Sequence, residues 1–282
     1  MTILETHIVH HLEKPQRLQE YAVGIFITTS TKSAIKKAIK KKLLLVNDQE
    51  CSTGLFIHGG EKITLLEEQK KHKPFDLHLS ILFEDDYLAI IDKPAGVSVS
   101  GNSFATIDNA LSKNLKKSNL SDAVKPRPVH RLDYPTSGAL LIGKTSNSIQ
   151  KLNDLFELKK VDKTYYAITI GKMNSKGEIS IPVDEKEASS IYQVIQTVSS
   201  DRFDFLNLVK LSPQTGRRHQ LRKHLSGIGN PILGDKEYGK QDLILKGKGL
   251  YLHAHTLKFQ HPFTKQIIEI TSTLPKKFQK IF

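Results

Sequence analysis

The chain has a single cysteine, Cys51, among its 282 residues, which excludes an internal disulfide and a cysteine-built metal cage. No stretch approaches the roughly 18 consecutive apolar residues of a membrane span. Residues 1–14 mix acidic and polar side chains and contain no apolar signal core, so a cytoplasmic protein is expected. Neither a glycine-rich nucleotide loop nor a zinc-type spacing of ligands occurs, and no cofactor is expected. Acid is the scarcer sign. With 29 Asp+Glu against 42 Lys+Arg the formal charge is +13, which favours a polyanionic partner. A nucleic acid suits this excess better than a membrane surface, because no basic helix carries a bulky aromatic face. Nothing implies an obligatory protein partner. The length suits one large domain, or one large domain plus a small module.

What is present centres on His130-Arg131-Leu132-Asp133-Tyr134-Pro135-Thr136-Ser137-Gly138. Pro128-Val129 leads in as a strand end, and Ala139-Leu140-Leu141-Ile142 leads out as a buried strand. Pro135 and Gly138 make the middle a loop. That loop holds one carboxylate, Asp133, two residues from Arg131. A carboxylate beside fixed positive charge is suited to act as a nucleophile or base. Loop aspartates also commonly bond their own backbone, so a turn-capping Asp133 fits the residues equally.

Earlier in the chain, Ser33–Lys42 reads as a helix capped by Ser30 or Thr31. Ala34, Ile35, Ala38 and Ile39 share one face; Lys32, Lys36, Lys37, Lys40 and Lys41 fall mainly on the other. The lysines suit either a solvated surface or a phosphate backbone. Strands are expected at 43–46 and 62–66, with a turn at Asn47-Asp48. Order and spacing resemble the S4 RNA-binding module through Arg17-Leu18, Ser30, Val46-Asn47 and Gly60-Glu61-Lys62-Ile63. Two departures are Gln19, where an acidic residue is usual, and Lys32 in place of an arginine. This gives a module over 1–67, a charged linker over 68–77 and a second domain over 78–282.

In the second domain, Ile81–Phe83 and Tyr87–Ile91 read as strands around an acidic turn, followed by the loop Asp92-Lys93-Pro94-Ala95-Gly96-Val97. Helices are expected over 106–115 and from Thr145 or Ser146 to about Leu158, with 121–128 a proline-bearing loop between them. Residues 163–171 and 205–211 alternate as strands. Tyr165 and Tyr166 lie in the first of these, where core packing is the common fate of tyrosine. The many late histidines, including His219, His224, His253, His255 and His261, lack an acidic ligand at metal spacing and read as structural.

Taken with the blocks that follow, the Asp133 stretch resembles the RluA-type family of RNA pseudouridine synthases. The other matching segments are the Lys93-Pro94 loop, Lys163-Thr164-Tyr165-Tyr166-Ala167, Gly216-Arg217-Arg218-His219-Gln220-Leu221-Arg222-Lys223-His224, and Gly229 to Gly239. Arg218 stands where serine or threonine is usual. The resemblance covers roughly residues 80–275. It implies an α+β catalytic domain around a mixed, largely antiparallel sheet, and isomerisation of uridine to its C-glycoside within RNA, without cofactor or metal. By the same resemblance Asp133 is the catalytic carboxylate, Arg222 its basic partner and Tyr165 the active-site tyrosine. Arg131, His130, Lys93, Arg217, Arg218 and His219, together with Lys32, Lys36, Lys37 and Lys40, would contact RNA. A duplex hides the target atoms, so the nucleotide must leave the stack, and Arg131 would fill the vacated space. Ribosomal RNA is favoured as substrate, with transfer RNA the alternative. Two competing readings are a non-catalytic RNA-binding assembly factor and a glycoside hydrolase that would release free uracil.

Overall fold

A computed structural model describes residues 2–67, 75–245 and 247–282. The chain divides into two compact units, Met1–Lys73 with Leu120–Val124, and Pro74–Asn119 with Lys125–Phe282. Most of the expected linker, 68–74, lies outside the described residues.

The smaller unit comprises β1 (Ile3–Ile8), β2 (Gln16–Arg17), α1 (Leu18–Tyr21), α2 (Lys32–Lys40), β3 (Leu44–Val46), β4 (Gln49–Glu50), β5 (Phe56–Ile57) and β6 (Lys62–Leu66). The order β1-β6-β3-β4 forms a four-stranded sheet, and β2 pairs with β5. Helix α2 begins where the Thr31 hydroxyl accepts the Ala34 N–H, so Thr31 is the cap. Its apolar face, Ile35, Ala38 and Ile39, is buried against Leu18, Leu44 and Ile63, leaving Lys36, Lys37 and Lys40 exposed. Asn47 and Asp48 both take positive φ, the geometry of a two-residue hairpin turn between β3 and β4.

The larger unit is built on one mixed sheet. Its elements are β7 (Ser80–Glu84), β8 (Leu88–Lys93), α3 (Ile107–Asn114), β9 (Ala123–Pro128), β10 (Ser137–Thr145), α4 (Ser146–Glu157), β11 (Asp162–Ile170), β12 (Lys176–Ile179), β13 (Ser190–Ser200), β14 (Asp204–Pro213), α5 (Gln220–Gly227), β15 (Leu252–Gln260), β16 (Ile267–Thr271) and α6 (Lys276–Gln279). The order β12-β13-β14-β11-β15-β10-β8-β7 runs through the sheet, with β16 on β15 and β9 on β10. The β10–β15 pair is parallel and only two residues long, Ser137 with His253 and Gly138 with Ala254. Its neighbours β10–β8, β11–β15, β11–β14 and β13–β14 are antiparallel. This is the mixed, largely antiparallel α+β architecture expected.

One expectation is corrected. Residues 121–128 are not a loop throughout, because Ala123–Pro128 is a strand beside β10. Proline lacks the ladder N–H, yet a strand paired on one side has an edge where that donor is not needed, so Pro126 and Pro128 are accommodated. The centre of the sheet is Ala139, Leu140, Leu141 and Ile142 of β10, all fully buried beside Ile90 and Ile91 of β8. Burial on both faces explains why this run is continuously apolar rather than alternating.

Candidate active site

The loop that carries Asp133 is set by its two ends. At its start, His130 Nε2 accepts the Leu141 N–H at 2.9 Å while the ring stacks on Phe156 at 4.6 Å. Burial, and Lys163 nearby, hold this imidazole down to about 3, so it is neutral and braces the loop. Leu132 is buried in the core beneath the loop, Arg131 faces out, and Asp133 keeps 21 % of its side chain exposed. At the far end, Gly138 takes φ +114° and lies so close to β15 that a Cβ would stand 2.1 Å from the Ala254 carbonyl oxygen. Only glycine permits that approach.

Lys93 closes the loop from below. It is fully buried, and its ammonium donates to the carbonyls of Pro94 at 2.9 Å, Thr136 at 2.7 Å and Tyr134 at 3.4 Å. Burial lowers it to about 8, partly offset by Asp133. The sequence placed Lys93 among RNA contacts. Its charge is instead turned inward onto loop backbone and does not reach the surface.

Helix α5 supplies the opposite wall. Gln220 receives the Thr215 hydroxyl at 2.6 Å and the Arg217 N–H at 3.0 Å, and donates to Ser189 O and Ser190 Oγ. His224 bonds Ser190 Oγ at 3.0 Å and Ile181 O at 2.8 Å. These two residues of the motif anchor the helix. Arg222, buried, points its guanidinium toward the loop, with one nitrogen 3.6 Å from Asp133 Oδ2. Its two shortest bonds, both 2.8 Å, form a fork on Asp235, and a third at 3.1 Å goes to Glu237. The fork hydrogen bonds and the surrounding carboxylates raise the guanidinium further above its usual range despite burial, while Arg222 and the turn N–H groups lower Asp235 despite its burial. Asp235 and Glu237 were given no role from sequence. The available signal was Asp235 within the matching Gly229–Gly239 tail.

His219 precedes α5 in the left-handed region at φ +56°, uncommon for a residue with a side chain. Its Nε2 lies 3.7 Å from Asp133 Oδ1, and its Nδ1 is 2.9 Å from the Tyr238 hydroxyl and 3.4 Å from Glu237. Tyr165 rises from β11 opposite Leu211 and Ala254, and burial together with Asp133 drives its phenol strongly upward. It is therefore a phenol, not a base, at neutral pH.

The loop, β11 and the start of α5 border one cleft of about 1050 Å³. Asp133, Tyr165, Arg222, His130, Arg131, Arg217, Arg218 and His219 all reach it, joined at the rim by Lys159 and Lys163. Lys93 does not line it. Lys32, Lys36, Lys37 and Lys40 belong to the smaller unit. The floor thus offers one carboxylate between a guanidinium and an imidazole, under a rim rich in cations.

Residues 87–227 match the family model for RNA pseudouridylate synthase. The chain belongs to this family. Across 94% of its length it is 30% identical to ribosomal large subunit pseudouridine synthase C of Rickettsia felis, of which 95% is covered. It is 32% identical, over 91% of this chain and 80% of the other, to ribosomal large subunit pseudouridine synthase D of Nitrosomonas europaea. A tRNA pseudouridine synthase C from Haemophilus ducreyi is 35% identical over 73% of this chain and 95% of its own. Among solved structures, human RNA pseudouridylate synthase domain containing 4 superposes with a TM-score of 0.58 at 27% identity, covering 71% of this chain and 90% of that one. The protein is accordingly an isomerase that converts uridine to pseudouridine within RNA.

Proposed function

We propose that this cleft isomerises uridine in large-subunit ribosomal RNA, with Asp133 as the group that meets the ribose while the N1–C1′ bond breaks. The observation that supports it most is the placing of Asp133 on the cleft floor, 3.6 Å from Arg222 and 3.7 Å from His219. A carboxylate held beside a buried guanidinium is oriented and kept ionised for attack. Tyr165, whose raised phenol cannot take a proton at neutral pH, would stack on the detached uracil while it turns to present C5. Exposed Arg131, which pairs with no carboxylate among the described residues, is free to enter the space left by an extruded nucleotide. The smaller unit, with its lysine-faced α2, would hold RNA in the manner of an S4 module. Ribosomal RNA is preferred over transfer RNA because the smaller unit resembles a ribosomal-protein module and the relatives that span both units are named for the large subunit.

The test is a map of pseudouridine by carbodiimide adducts and primer extension, comparing cells with the intact protein and cells carrying only Asp133→Ala. A stop in large-subunit RNA that vanishes in the variant names both substrate and carboxylate. A loss confined to transfer RNA would overturn the substrate, and an unchanged map would overturn the role of Asp133.

A further inference from the structure

Isomerisation leaves one proton to be moved. Once C5 has joined C1′, C5 carries both the sugar and its original hydrogen, and N1 is doubly bonded to C6. The C5–H bond must break and its electron pair become the C5=C6 bond, while the N1=C6 pair takes a proton at N1. The proton lost at C5 and the proton gained at N1 balance, so one carrier that takes and returns it suffices.

The cleft restricts which group this can be. Tyr165 is a phenol driven away from basicity. His130 uses Nε2 to accept the Leu141 N–H and is turned into the β10 edge. Lys93 is buried beneath the loop on three carbonyls. Arg222 holds its protons against Asp235. Asp133 is engaged with the sugar. Of the titratable side chains lining the cleft, which also include Glu157, Lys159, Asp162 and Lys163, those that meet Asp133 directly are Arg222 and His219, and of these two His219 has the surroundings of a base rather than of a structural histidine.

The Tyr238 hydroxyl lies 2.9 Å from His219 Nδ1, and a Glu237 carboxylate oxygen lies 3.4 Å from the same nitrogen. A carboxylate oxygen can only accept, so beside Glu237 the Nδ1 carries hydrogen and the lone pair falls on Nε2. Nε2 is the atom that faces Asp133 across the cleft at 3.7 Å. No side-chain cap bond engages this residue although it is the N-cap of α5, and its backbone is held at φ +56°. Such strain persists where the surroundings fix a side chain in one place. We infer that His219 is the proton carrier of the reaction, taking hydrogen from C5 through Nε2 and returning it to N1, with Glu237 a positioning residue that keeps hydrogen on Nδ1. This rests on the reading of Asp133 as the group that meets the ribose.

The imidazolium formed midway is faced by Asp133 from the loop, Glu237 and Tyr238 from the turn after Asp235, and Asp184 from the β12–β13 connection. The cations nearby are Arg218, its chain neighbour, Arg222, and Lys223, which pairs with Asp184 and lies over the Tyr238 ring. Carboxylates therefore flank the ring on both nitrogens.

The test uses His219→Asn, because asparagine tolerates the left-handed backbone and keeps an amide to meet Tyr238. RNA containing uridine deuterated at C5 serves as substrate beside ordinary RNA. The expected result is a fall in kcat of about 10²–10⁴-fold with KM within a few-fold, as for loss of a general base. A primary isotope effect from C5 should then appear on kcat. The acid limb of the intact enzyme's pH profile, where the imidazole becomes protonated, should disappear, and added imidazole should restore part of the rate. Glu237→Gln should move that limb to lower pH, because an anion that favours the imidazolium is gone. A rate retained within a few-fold in His219→Asn, or a rate lost without an isotope effect from C5, overturns the inference. Asp133→Asn separates the two readings: glycosidic cleavage stops there, whereas in His219→Asn cleavage and rejoining proceed and only proton removal lags.

Discussion

At Arg222 a single guanidinium meets three carboxylates, and the distances rank them. The fork on Asp235 is a buried, bidentate pair, whereas Asp133 is met by one nitrogen at 3.6 Å. Asp235 thus fixes the plane of the guanidinium and leaves one edge for Asp133. Asp235→Asn leaves a buried cation short of its partner and should destabilise the fold by about 3–5 kcal/mol, read as a lower urea midpoint. It should also lower kcat more than it raises KM, because the free guanidinium can swing away from the cleft. Tyr165 makes a second comparison: Tyr165→Phe should retain most of kcat and Tyr165→Leu lose it, since stacking needs the ring and not the hydroxyl. A Phe variant as inactive as Leu in single-turnover assays would assign the hydroxyl a direct part. At this scale the sequence was informative about what is local. Asp133, Arg131 and Leu132 follow from one loop, and their alternation out and in is visible in residue type. The fork on Asp235 was not legible, because it joins a helix to a turn thirteen positions on, and one-dimensional spacing does not say which carboxylate lies nearest. Lys93 was misplaced for a related reason. A lysine in a Pro/Gly loop reads as exposed unless the carbonyls that surround it are known.

The elements follow the pattern more closely, since burial has a period. Helix α4 and strands β6, β10 and β11 lie within a few residues of where alternation and capping put them. The strand at Ala123–Pro128 escaped because two prolines outweigh a weak alternation, and only the partner strand decides the matter. The short parallel contact of β10 with β15 has two testable properties. Gly138→Ala drives a Cβ into the Ala254 backbone and imposes a strained φ, so about 2–4 kcal/mol of stability should be lost, read by urea denaturation. His253, beside it on β15, bonds Ser137 Oγ at 2.9 Å and Ser272, and burial holds its ring down to about 4. An unfolded imidazole takes its proton near 6.5, so over the interval from about 6.5 down to about 4 the unfolded chain binds more protons and stability falls with pH. The loss from this ring is on the order of 3 kcal/mol. His253→Gln should flatten part of that slope in thermal melts taken across the same interval, His130 supplying a further share.

For the whole molecule the net charge of +13 makes affinity for RNA a function of salt. Each lysine of α2 that contacts phosphate should contribute about one unit to the slope of log K against log salt. Combined Lys36→Ala, Lys37→Ala and Lys40→Ala substitutions should reduce that slope by about three, leaving the single-turnover rate at saturating RNA within a few-fold. An unaltered slope, measured by filter binding, would return α2 to an ordinary solvated surface. The topology of the sheet carries a different consequence, one of timing. Ser137 and His253 stand side by side although 116 positions separate them. A growing chain completes the Asp133 loop, β11 and α5 before it has made the strand against which Gly138 is pressed. Closing so long a loop must be offset by contacts that come only with β15. The cleft around Asp133 is therefore expected to close only once β15 has left the ribosome and paired with β10, so chains ending before Leu252 should lack isomerase activity even where the lysine face of α2 has already formed.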